Sequence, residues 1–182
     1  MLRKPYSLGI CLAGCLLAAG TAHAQNEQYA KAQLAISDVD GFGNGLALVG
    51  TYGMKLPQVH QNFSVEGELT TTIVNPDTSV FGHSLEASYY SLGAYAVYTH
   101  PINQQVELYG RGGLLYLHTS IDYYTVDWFG RAQVESSSDN DIEPTIGFGT
   151  NISFMEGFDF TAGATIISSD ITHLGAGVQF KF

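Results

Sequence analysis

Glu66 and Glu68 stand two residues apart, the spacing at which an extended strand carries both side chains to one face. Arg111 sits in another stretch of strand-like alternation, at a similar counted height above its neighbouring tight turn. Two carboxylates and a guanidinium brought together have two uses. They can neutralise one another as a static plug, each charge offsetting the cost of burying its partner, or they can part and act as a gate. Lys55, Glu107 and Lys181 share that face and extend the charge cluster toward the turns. A second set is nucleophilic in type. His118 and Ser120 offer a base and a hydroxyl, and a serine nucleophile needs such a base in hydrogen-bond reach and a third group to orient it. Their place, where a strand gives way to a polar stretch, suits two ordinary polar residues better, and no catalytic residue is assigned. Residues 38–44 (DVDGFGN) alternate acids and glycines but lack the later Glu of a calcium loop. His60, His83, His100, His118 and His173 have no metal-ligand spacing. Neither a dedicated metal site nor a cofactor is expected.

The chain that must position these residues starts with an export pattern. Residues 1–7 carry Arg3 and Lys4, residues 8–20 are apolar and small, and TAHA at 21–24 supplies an A-x-A site. This reads as a secretory signal peptide cut after Ala24, dividing the chain into a leader over 1–24 and one domain over 25–182. LAGC at 12–15 has the look of a lipobox, but the apolar core runs on through residues 16–19. Cys11 and Cys15 leave with the leader, so disulfides, thiolates and Cys-held metals are excluded from the domain. Of 7 Lys and Arg and 17 Asp and Glu, the leader removes two cations and no acid, which leaves a net charge of −12. Such a charge repels nucleic acid over long range, and none is expected as a partner. Nothing in the domain approaches the roughly 20 apolar residues of a membrane helix.

Alternation of apolar and polar residues divides the domain into eight segments, at about 30–36, 46–56, 63–73, 90–98, 106–116, 142–154, 158–166 and 174–182. Ten or so residues suit a tilted strand crossing a bilayer. The connections alternate, short at 57–61, 101–104 and 155–157 and longer at 38–44, 75–84 and 119–141. Membrane barrels keep short turns in the periplasm and long loops outside. Phe63, Tyr98, Phe154, Phe158 and Phe182 lie on the apolar face beside the short turns, with Phe180 one step above Phe182, which predicts an aromatic ring at one interface. Lys31, Lys55, Glu66, Glu68, Glu107, Arg111, Glu143, Asp159 and Lys181 fall on the opposite face with most of the mid-strand glycines. A soluble lipocalin-like carrier would waste those glycines on its surface. In a closed narrow barrel they leave room for Arg111, Tyr95 and Tyr109. The expected fold is all-β: an eight-stranded antiparallel up-and-down transmembrane β-barrel with short periplasmic turns and longer extracellular loops.

The eight-segment alternation, the stretch YAVYTHPINQQVELYGRGGLLY at 95–116 and the ending VQFKF at 178–182 carry a resemblance. The chain resembles the small outer-membrane β-barrel superfamily of OmpA-type, OmpX-type and opacity-type porin-like surface proteins. That resemblance implies the Gram-negative outer membrane, with membrane lipid and lipopolysaccharide as partners. It also implies recognition by the barrel-assembly machinery through the C-terminal strand, with Phe180 and Phe182 as the signal. Members act as structural proteins, adhesins, invasins, narrow pores or lipid-modifying enzymes. The His118-Thr119-Ser120 triplet with Glu135 faintly resembles the arrangement of outer-membrane lipid A deacylases, but its flanking residues differ. The function expected is non-enzymatic, in envelope structure or adhesion, by a monomer that meets a host or cell-surface ligand. Tyr123, Tyr124, Trp128 and Phe129, among Asp122, Asp127, Asp139 and Asp141, make the third outer loop an acidic and aromatic contact surface. The same residues would alternatively prolong two strands beyond the membrane. The alternatives in function are a narrow channel gated by Glu66, Glu68 and Arg111 and, more remotely, a lipid A-modifying enzyme.

Overall fold

The computed structural model describes residues 28–39, 43–75, 77–80, 83–126, 132–167 and 171–182. The leader with Ala24, together with Asp40, Asp127, Trp128 and Phe129, lies outside them. The strands are β1 (Gln28–Val39), β2 (Gly43–Lys55), β3 (Phe63–Val74), β4 (Asp77–Val80), β5 (His83–Pro101), β6 (Val106–Val126), β7 (Ala132–Met155), β8 (Phe158–Ile166) and β9 (Ile171–Lys181). Among the described residues, strands that follow one another in the chain pair antiparallel except β3 and β4; β1 pairs with β9, and β3 pairs with β5. The sheet is therefore closed by eight staves, while the short β4 runs beside the upper end of β5, from Asp77↔Glu86 to Val80↔His83. All eight predicted segments are present as staves.

The sidedness follows from the period of two. Leu92 and Phe148 are 60% and 63% exposed, whereas Glu66 and Glu68 are 3% and 2% exposed. Large apolar side chains thus line the outer wall, in cross-strand pairs such as Leu34↔Leu48 and Phe160↔Val178, and the charges line the interior. Glycine makes that narrow interior feasible. A Cβ at Gly93 would meet the Tyr95 ring, and one at Gly149 or Gly163 the Tyr109 hydroxyl. At Gly113 and Gly177 it would meet a backbone carbonyl, of Ala94 and of Ala32 respectively.

The short turns satisfy themselves locally. Asn103 Oδ1 accepts the Gln105 and Val106 N–H groups, each at 2.8 Å. Gly157 has φ of 77°, the left-handed conformation that the two-residue turn between β7 and β8 requires.

One expectation needs correcting. Residues 119–141 do not form a long loop: β6 and β7 stay paired from Thr119↔Asp139 to Val126↔Ala132. Ile121, Tyr123, Tyr124, Thr125 and Val126 are strand formers, and each further rung on a registered hairpin shortens the loop that must be closed. Tyr123 and Tyr124 are accordingly strand residues, opposite Glu135 and Val134. β5 rises alongside as far as Leu85↔Tyr123. β8, by contrast, stops at Ile166, opposite Ile146.

Candidate functional site

Glu66 and Glu68 on β3 meet Arg111 of β6 and Lys31 of β1 across the interior. Arg111 Nη1 lies 2.5 Å from Glu68 Oε2 and 3.6 Å from Glu66 Oε2, and Lys31 Nζ lies 2.6 Å from Glu66 Oε1, with all four side chains buried. Tyr29 donates to Glu66 Oε1 at 2.8 Å, Tyr95 to Glu68 Oε1 at 3.2 Å, and Arg111 Nη2 to Thr165 Oγ1 at 2.6 Å. The Arg111 guanidinium carbon sits 4.4 Å from the Tyr95 ring centre, and Lys31 Nζ sits 4.6 Å from that of Tyr109. Two anions and two cations make the layer neutral, the condition under which buried charge is tolerated.

The sequence grouping is thus partly regrouped. Glu66, Glu68 and Arg111 come together, but with Lys31 as a fourth member. Lys181 and Glu107 belong to a second layer nearer the short turns, organised by Asp159. There Lys181 Nζ is 2.7 Å from Asp159 Oδ2 and 3.7 Å from Glu107 Oε2, while Ser153 and Gln179 donate to the Asp159 carboxylate at 2.7 and 3.0 Å. Lys55 joins neither layer. It is the last residue of β2, lining a cavity of about 70 Å³ at the short-turn mouth, and makes no ion pair among the described residues. Toward the other end, the Tyr89 hydroxyl lies 2.8 Å from Ser37 Oγ and 2.7 Å from His173 Nε2, and the two rings stack at 5.7 Å. The void beside Arg111 and His173 is only about 20 Å³, little more than one water occupies.

On the outer wall, Phe154, Phe158, Phe180 and Phe182 form a continuous run with centroid separations of 6.5, 4.8 and 5.6 Å, extended by Tyr52 at 6.4 Å from Phe182. Phe63 and Tyr98 face each other in register between β3 and β5. All six predicted aromatics therefore stand beside the short turns. At the upper edge of the apolar wall, the His118 ring stacks on Tyr90 at 4.6 Å. Its Nε2 is 3.3 Å from Ser120 Oγ and its Nδ1 is 2.6 Å from Asn140 Oδ1, which also accepts from the Tyr116 hydroxyl at 2.8 Å. The residue orienting His118 is therefore Asn140; Glu135 lies higher on the ribbon, beyond the Ser120↔Ser138 rung. An amide steadies one imidazole tautomer, as the asparagine of Cys-His-Asn sites does, without adding a negative charge.

A closed barrel with charges inside and an apolar wall outside is a membrane architecture, and the family match agrees. The sequence model of the outer membrane protein beta-barrel domain matches residues 9–182. The chain belongs to this family. No curated protein is a match to it. Among solved structures, neisserial surface protein A superposes with a TM-score of 0.59 at 19% identity, over 85% of this chain and 96% of that one. The N-terminal β-barrel domain of Pseudomonas aeruginosa OprF gives 0.54 at 13% identity, over 85% and 97%. Ail, the attachment invasion locus protein of Yersinia pestis, gives 0.51 at 19% identity, over 84% and 96%, and has also been solved in complex with the heparin analogue sucrose octasulfate. These are likenesses of fold. In an outer-membrane barrel the short turns are periplasmic, so the ribbon of β5, β6 and β7 stands outside the cell.

Proposed function

We propose that this barrel is a non-enzymatic surface protein that works through its exposed ribbon, in adhesion or envelope structure, above an interior that is a static plug. One observation carries this: a neutral, interlocked ion-pair layer lies across the interior, while β6 and β7 continue for ten paired rungs from Leu117↔Asp141 to Val126↔Ala132. Outer-membrane lipid and lipopolysaccharide surround the apolar wall, a host or cell-surface ligand meets the ribbon, and the protein acts as a monomer. Ser120 and His118 serve in this reading as interfacial polar residues, held with Asn140 in one hydrogen-bonded group at the edge of the wall. The fold shared with Ail supports attachment as the activity. A sulfated ligand is disfavoured, because residues 77–86 and 117–145 carry eight acids against Arg131 as their only Lys or Arg.

Trimming the ribbon separates the two halves of this reading. Thr119 and Asp139 are direct partners, so residues 120–138 can be replaced by an Asn-Gly turn of the kind that closes two-residue hairpins. The trimmed barrel should keep its heat-dependent gel shift, and bacteria displaying it should lose adhesion by about tenfold or more, as when a contact centre is removed. Adhesion that survives trimming would contradict the ribbon as the working part.

A further inference from the structure

β7 is 24 residues long and β8 only nine. Their pairing ends at Ile146↔Ile166, and among the described residues no strand lies along β7 on that side above this rung. The direction of the backbone groups is fixed by two hydrogen bonds. Ser153 N–H donates to Gln105 O at 2.7 Å, on the β6 side, and groups alternate sides along a strand. Even-numbered residues of β7 therefore present N–H and C=O to the edge that β8 leaves open. Asn140 agrees: its N–H donates at 2.9 Å to the carboxylate of its neighbour Asp139, which stands in for the carbonyl of an absent strand. Pro144 is also even-numbered, so its missing N–H falls on the open side and costs β6 no ladder bond. Above that proline, Ile142, Asn140, Ser138 and the backbone up to Ala132 form an unpaired edge carrying no lysine. Edges of this length are normally blunted or covered.

The charges on that edge select the occupant. Asp139, Asp141 and Glu143 alternate along one face of β7, with Ser138, Asn140 and Ile142 on the other. A second copy adding antiparallel would set these carboxylates against their own kind, which destabilises a cross-strand pair. A strand with cations at every second position meets them instead. We infer that the open edge of β7, from Ile142 to Ala132, is a strand-addition site for an extended peptide segment bearing Lys or Arg at alternate positions. This rests on the ribbon being the working part and names its class of partner and mode of contact.

The full chain, refolded in neutral detergent, is titrated with a fluorescent peptide alternating Thr and Lys, and with the same peptide N-methylated on the residues that would face β7. N-methylation keeps the charge and removes the ladder. The unmodified peptide should bind, N-methylation should weaken it about tenfold or more, and Ser138→Pro should do the same while the gel shift persists, because residue 138 donates only to the open edge. Asp139→Asn with Asp141→Asn should weaken binding in proportion to the lost charge. Equal binding of the N-methylated peptide would show charge attraction alone and overturn strand addition, as would no binding at all. Dimerisation without peptide, strengthened by the Asn variants, would assign the edge to a second copy and overturn it too. Adhesion lost on trimming but intact in Ser138→Pro overturns strand addition only; adhesion intact in both overturns the surface reading beneath it.

Discussion

Glu66→Ala is expected to lower the unfolding free energy of the refolded barrel by about 3–5 kcal/mol, the cost of breaking a buried ion pair from one side. Glu66 accepts from both Lys31, at 2.6 Å, and Tyr29, at 2.8 Å, on a single oxygen, and its other oxygen lies 3.6 Å from Arg111. Arg111 keeps Glu68 in the variant, but Lys31 keeps no carboxylate, and its ammonium stays among the Tyr29 and Tyr109 rings. The loss should therefore follow the stranded cation. Lys31→Met combined with Glu66→Met removes both charges, fills much of the volume, and should recover most of the stability. Lys55→Ala, outside both layers, should shift stability by no more than about 0.5 kcal/mol. Guanidinium unfolding in lipid vesicles, followed through the single tryptophan Trp128, measures all three. A Glu66→Ala barrel as stable as the parent would mean that the layer is solvated, and the plug would have to be given up.

Gly177→Ala should prevent closure. Gly177 lies on β9 opposite Gln33 of β1, at the seam between the first and last strands. A Cβ there runs into the Ala32 carbonyl oxygen, and a backbone atom in a paired strand cannot yield without breaking rungs. The expected cost is about 3 kcal/mol or more, at the upper end for overpacking, visible as loss of the heat-dependent gel shift. Gly67→Ala and Gly110→Ala are the controls, since a Cβ at either meets nothing within 4 Å. Failure of the controls alongside Gly177→Ala would point to a general loss of glycine flexibility and not to a steric block at the seam.

The period of two made most of this fold legible. It put Glu66, Glu68 and Arg111 on the inner face and Phe63, Tyr98, Phe154 and Phe158 on the outer, and a one-residue slip would have reversed both. What it could not show was depth between strands that are not neighbours. Alternation places Lys31 inward, yet its pairing with Glu66 passes from β1 to β3, a relation set by strand tilt and closure. Asp159 was hidden in the same way among Lys181, Glu107 and Gln179. For Tyr123 and Tyr124 the sequence leaves loop and strand extension both open, because surrounding acids and serines mask the strand-forming run of residues 121–126, and the register decides for extension. Glu135 follows His118 in the sequence but pairs five rungs higher, whereas register brings Asn140 directly opposite His118. The open edge of β7 had a single trace in the sequence, Pro144, whose meaning depends on knowing where β8 ends.

Planar-bilayer conductance of material that shows the heat-dependent gel shift tests the central claim most directly, because a plugged barrel working at its surface and a gated channel differ in nothing else so sharply. The ion-pair layer and the small voids around it predict no reproducible conductance steps. Steady steps, changed in size or lifetime by Arg111→Ala, would show an ion path through the charged interior and contradict the account.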